Sequence, residues 1–127
     1  MAAQAQRRII PIYSSRGEPE AFLGFPHLFN RSGEWIGWIT ANREVYSVLG
    51  NYVGQLTDDA RIVRKRSDDE QKPNLKPPRY PGKISTPANV PLAPLMKDLT
   101  QSLVDVLQEE PERLHTLDSG ELRQDLD

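Results

Sequence analysis

Apolar residues in the first half of the chain come in runs of two to five, too short for helices and broken by polar turns that carry glycine. Read as strands and hairpins, this pattern predicts Phe29–Asn30 leading into a turn over 31–34 and a strand from Trp35 to Ile39. It then predicts a strand Val45–Ser47, a turn Val48–Asn51 and a strand Tyr52–Leu56. Ala41-Asn42-Arg43 and Asp58-Asp59-Ala60 read as further connections, and Gly33 and Gly50 supply the positive φ that tight hairpins demand.

The pattern repeats. LFNRSGEWIGWITANRE, from Leu28, lies over VYSVLGNYVGQLTDDAR, from Val45, with Gly33 on Gly50 and Gly37 on Gly54 (45 − 28 = 17 residues). A looser copy starts near Ile12, where Tyr13 and Gly17 match and Phe22, Leu23 and Gly24 follow after three extra residues. A fourth begins at Ile62 and breaks off at Arg66. Units this short cannot bury an apolar face alone and must pack on their neighbours. Leu23, Ile36 and Val53 occupy one equivalent position that is always aliphatic, which assigns them to the buried face. Phe22, Trp35 and Tyr52 then fall on the opposite face with Gly24, Gly37 and Gly54, where each ring is expected to cover a strand glycine.

The runs IYSSRGEPEAFLG, HLFNRSGEWIGWI and EVYSVLGNYVGQL resemble the bacterial four-fold β-flower proteins over Ile9 to Arg66. The resemblance implies hairpin petals about a pseudo-four-fold axis; it brings no established activity and no catalytic residues. RIVRKR departs from the repeat by lacking a turn glycine and a second strand, leaving Arg7–Ile10 or Lys83–Ser85 to complete the fourth petal. The expected architecture is mainly β, a small repeat of hairpins over 7–66.

Beyond the repeats, seven prolines between 67 and 94 mark an extended segment without a core of its own, read as a linker over 67–93. Its KPPRYP motif resembles the proline-rich ligands of aromatic grooves. Leu92, Leu95, Met96, Leu99, Leu103, Val106 and Leu107 then recur at three- and four-residue steps, which predicts one amphipathic helix over 94–110. The acidic tail 111–127 is expected to be disordered.

Composition changes this picture in three ways. The net charge of −2 divides into +3 over residues 1–66 (nine Lys/Arg, six Asp/Glu), +1 over 67–92 (four, three) and −6 over 93–127 (three, nine). The chain has no cysteine, which excludes disulfides and thiolate metal sites and suits a reducing cytoplasm. No apolar run approaches a membrane span or a signal peptide, so no membrane partner is expected.

Candidate chemistry is sparse. His27 and His115 lie in different regions, so a two-histidine metal site would require the tail to fold back, and His27 reads as a turn residue; Asp58 and Asp59 are adjacent turn-formers, not carboxylates facing across a cleft. GEWIG and GNYVG lack the lysine of a phosphate loop. No enzyme, cofactor or metal site is expected. The leading expectation is a non-enzymatic module for protein–protein interaction or self-assembly, with Leu92, Leu95, Leu99, Leu103 and Val106 as the partner-binding stripe. A competing use of that stripe is to cap the open end of its own β unit. The alternative function is nucleic-acid binding by Arg61, Arg64, Lys65 and Arg66 beside exposed aromatic rings.

Overall fold

The computed structural model describes residues 8–67 and 72–118; Arg7, residues 68–71 of the expected linker and 119–127 of the expected tail lie outside the described residues. Eight strands form one antiparallel sheet in which each pairs with the next in sequence. They are β1 (Ile10–Tyr13), β2 (Pro19–Gly24), β3 (His27–Phe29), β4 (Trp35–Ile39), β5 (Glu44–Ser47), β6 (Tyr52–Leu56), β7 (Ile62–Lys65) and β8 (Leu103–Asp105). A single turn of helix, α1 (Val106–Glu109), and a 3-10 turn (Pro111–Arg113) follow.

The turn glycines behave as their sequence context demands. Gly17, Gly33 and Gly50 have φ of 84°, 83° and 89°, and their amides donate to Ser14, Asn30 and Ser47 three residues back. On the other side of each hairpin the connections donate and accept in register. Ile39 N donates to Pro26 O and Leu56 N donates to Arg43 O, donors and acceptors both advancing by 17 (56 − 39 and 43 − 26). Ala60 O, 17 residues further (60 − 43), accepts instead from Tyr13 N at 2.8 Å, so the sheet curls back until its late connection meets β1.

Curling gathers the aliphatic positions. Ile12, Leu28, Val45 and Ile62, one each from β1, β3, β5 and β7, are almost wholly buried, and Leu23, Ile36 and Val53 join them in the same cluster, as the alternation required. Phe29, Trp35 and Val48 form a second, aromatic cluster with Trp38 and Ile84 at its margin.

Two of the three strand glycines, Gly37 and Gly54, face the other way from the expectation. Register shifts between Leu28 and Phe29 and between Val45 and Tyr46 set Gly37 opposite Leu28 and Gly54 opposite Val45, both core residues. A Cβ on Gly37 would lie 2.6 Å from Tyr46 O, and one on Gly54 2.5 Å from Val63 O. The glycines therefore make room for a neighbouring backbone, and the bulges are what defeated a strict period of two. Trp35 still covers local backbone, since its Nε1 donates to Gly37 O at 2.7 Å.

Three features of the C-terminal half differ from the sequence reading. The fourth hairpin is completed neither by residues 7–10 nor by Lys83–Ser85 but by β8, which pairs Val63 with Asp105, Arg64 with Val104 and Lys65 with Leu103. The helix predicted over 94–110 shrinks to Val106–Glu109, because the open edge of β7 needs backbone partners and Leu103–Asp105 supply them. Of the expected disordered tail, Pro111–Arg113 form the 3-10 turn and Leu114 is buried in the core beside Gly37.

The described residues of the expected linker, 67 and 72–93, have no regular secondary structure, yet they are bound to the hairpin turns. Leu75 N donates to Gly50 O and Ile84 N to Gly33 O, both at 3.0 Å, while Ala93 packs at Gly17. Leu75, Ile84 and Ala93 are nine residues apart (84 − 75, 93 − 84), so an extended strap passes the three turns in reverse order.

Candidate interaction surface

The strap and the residues just after it carry the most exposed large apolar side chains among the described residues. Leu92 and Leu95 are 95% and 101% exposed, although the backbone around them is held in place. On the N-terminal side Tyr13 Oη donates to Pro91 O at 2.7 Å. On the C-terminal side Arg61 Nη2 donates to Lys97 O at 2.8 Å. Pro91 and Pro94 restrict φ between these anchors, so the two leucines project from an extended segment that has little freedom to fold them in.

The other members of the predicted stripe do not join them. Leu99 is half-buried in the cleft beside Arg61, Leu103 is half-buried in β8, and Val106 is fully buried in the core. Only Leu92 and Leu95 share an open surface, and they do so without a helix.

The basic run is also dispersed. Arg61 is 4% exposed. Its Nε and Nη2 donate to the two carboxylate oxygens of Asp59, and its Nη1 donates to Ser15 Oγ at 2.9 Å. Ser15 Oγ in turn donates to Asp105, which is itself buried. This chain of bonds ties the β1–β2 turn, the β6–β7 connection, the strap and β8 together. Hydrogen bonding from Arg61 holds the Asp59 carboxyl below its usual range, with burial opposing the shift.

Arg64 grips Glu110 with both Nε and Nη2, at 2.7 and 2.6 Å. Those bonds, with Arg113 nearby, bring the Glu110 pKa down to about 2 against the pull of burial. Arg66 donates to Gln101 O and lies 3.6 Å from Glu109, while Lys65 is exposed. The Arg61–Asp59–Ser15–Asp105 network was missed from sequence. Its one local signal is Asp105 three residues before Gln108, the spacing of a helix N-cap, and Asp105 does accept from Gln108 N.

The aromatic residues pack mainly on one another. Trp38 stacks on Tyr46 with ring centroids 5.1 Å apart, Tyr46 meets Tyr52 edge-on, and the Lys72 ammonium sits 5.0 Å from the Tyr52 ring centre while paired with Glu44. Burial raises the Tyr46 hydroxyl pKa, with the Glu44 charge adding to it. His27 packs edge-on against Trp35. Among the described residues no group of three or more His, Asp or Glu side chains could hold a metal ion, and no helix is long and apolar enough to cross a membrane.

A curled antiparallel sheet of glycine-turned hairpins defines a class of small, mainly β proteins. The family model described as 4-fold beta flower protein matches residues 10–97, which is 88 of 127 residues (97 − 10 + 1), and the chain belongs to that family. The match extends past Arg66 to take in the strap, in keeping with its bonds to the turns. Comparison with curated proteins and with solved structures returned no match.

Proposed function

We propose that this chain is a non-enzymatic interaction module, a flower of four hairpin petals about a pseudo-four-fold axis that presents Leu92 and Leu95 to an apolar groove on a protein partner. The observation that carries the reading is the near-complete exposure of two leucines on a strap anchored on both sides of them. A segment held extended before binding has less conformational entropy to lose on docking, which is how proline-rich ligands gain affinity from few contacts. The absence of cysteine fits a reducing cytoplasm as the setting. Nucleic-acid binding through Arg61, Arg64, Lys65 and Arg66 has less support, because the Arg61 and Arg64 guanidinium groups are engaged by Asp59 and Glu110.

The test is a site-specific photo-crosslinking residue placed at Leu92 or, as a control, at the exposed Lys83, in the full chain inside its host cell. A discrete adduct from position 92, lost when Leu95→Asp is added and not formed from position 83, supports the reading. Equal yields from both positions refute it.

A further inference from the structure

Burial along the strap and its continuation has a period of three. From Val90 to Gln101 every third residue, Val90, Ala93, Met96 and Leu99, is half-buried, and the residues between them are exposed. A strand would repeat its buried face at two residues and an α-helix at three and four, whereas three residues per turn is the repeat of polyproline II. The contacts with the hairpin turns agree. Leu75, Ile84 and Ala93 stand nine residues apart (84 − 75 and 93 − 84), which is about three turns of such a helix and returns each to the same side. One ridge therefore faces the body and two face out: Pro91, Pro94 and Lys97 on the first, Leu92, Leu95 and Asp98 on the second.

The backbone of this segment narrows what can dock on it. Pro91 and Pro94 have no N–H to donate, and the carbonyls of Pro91 and Lys97 already accept from Tyr13 Oη and Arg61 Nη2. A segment so engaged cannot add as a strand to a sheet edge, which recognises its ligand through main-chain hydrogen bonds. Pro94, in the middle of the segment, equally opposes an amphipathic helix lying in a groove. What remains is side-chain shape: a preformed row of pyrrolidine rings beside a row of leucines, which aromatic rings can grip from both sides. Lys97 is exposed and continues the proline ridge, so the row has a positive end.

We propose that the protein docking on Leu92 and Leu95 carries a groove lined with aromatic side chains that seats both outward ridges, and a carboxylate that pairs with Lys97 and fixes the direction of docking. This rests on the reading of the two leucines as a docking site; it adds the chemistry of the partner and a recognition role for Pro91, Pro94 and Lys97.

The test extends the photo-crosslinking from position 92 in the full chain, with the adduct digested and its attachment point on the partner mapped by mass spectrometry. The expected attachment lies in a groove lined by Trp, Tyr or Phe side chains. Pro94→Ala and Lys97→Glu should each lower the adduct yield roughly tenfold, the scale of losing one well-packed ring or one charge pair at a contact. Lys97→Arg should keep the yield, and Ala88→Glu, exposed and ahead of the segment, should leave it unchanged. Pro94 and Lys97 are themselves exposed, so neither substitution removes a core contact.

A yield that survives either Pro94→Ala or Lys97→Glu, yet is lost with Leu95→Asp, overturns the proposal and leaves the leucine reading standing. Attachment to a surface without aromatic residues, or to a second copy of this chain, overturns it as well. No discrete adduct from position 92 refutes both readings together.

Discussion

Replacing Asp105 with alanine tests whether a single buried carboxylate ties the two ends of the sheet. Strands β1 and β8 end the strand order and share no ladder among the described residues. Asp105, 2% exposed, instead accepts from Ser15 N at 2.6 Å and from Ser15 Oγ on one oxygen, and from Gln108 N at 3.2 Å on the other. Loss of the helix cap alone costs about 1 kcal/mol. The two Ser15 bonds to a charged acceptor are each of the class that contributes about 1.5–3 kcal/mol, and because they share one oxygen they do not add fully. The expected destabilisation is therefore about 3–5 kcal/mol, or roughly 10–20 °C in Tm for a domain of this size. Asp105→Asn keeps the shape and one acceptor and should lose about half as much. Urea unfolding followed by the fluorescence of Trp35 and Trp38 measures both, with Asp98→Ala, at an exposed site, as the control. If Asp105→Ala cost under about 1 kcal/mol, or no more than the control, the carboxylate would not be the tie argued here.

Three further perturbations follow from the packing. Gly37→Ala and Gly54→Ala force a methyl against Tyr46 O and Val63 O, and each should cost about 1–3 kcal/mol in the same urea assay, an unmoved midpoint counting against the close approach. Gly33→Ala and Gly50→Ala combine a positive φ with collision against the carbonyls of Ile84 and Leu75, so they should release the strap; limited proteolysis should then cut within 72–90 faster than in the parent chain, and equal rates would refute the anchoring. Glu110 is held near a pKa of about 2, below its unfolded value, so its contribution is present above about pH 4.5 and lost as pH falls toward 2. Stability should drop by about 3 kcal/mol over that window, and Glu110→Gln should flatten the slope; a slope unchanged by the substitution contradicts the assignment.

The repeats were legible because their signals are local. Gly33 and Gly50 mark turns, and the aliphatic positions Leu23, Ile36 and Val53 recur in register, so hairpins and core follow from residues within 17 of one another. The strand glycines were misplaced because a bulge changes which face a residue takes, and nothing in the composition of WIGWI or YVGQL announces the bulge. The false helix arose from a sound periodicity that lost to an edge strand in need of a partner. The D-x-x-Q cap at Asp105 was the local hint that the helix begins at Val106. Of the stripe expected to bind a partner, Leu92 and Leu95 lie on open surface and Val106 does not, a sorting decided by contacts with Gly17, Tyr13 and Arg61 more than 30 positions away. The basic run could not be resolved from sequence either, because Asp59 and Glu110 claim Arg61 and Arg64 only once the chain is folded.

The position of β8 sets an order of events in time. Thirty-seven residues separate the end of β7 at Lys65 from the start of β8 at Leu103 (103 − 65 − 1), against five in the turn from Ser14 to Glu18. Closing the longer loop costs about 2 kcal/mol more in chain entropy, so the local hairpins form first and the last pairing waits. During synthesis β7 therefore emerges well before its partner, with an outer edge that has no strand to bond. Arg64, Lys65 and Arg66 stand along that edge, and their charges repel a second nascent chain until Leu103–Asp105 arrive. Pulsed hydrogen exchange should register this delay as protection of the β7–β8 amides after those of β2 to β6.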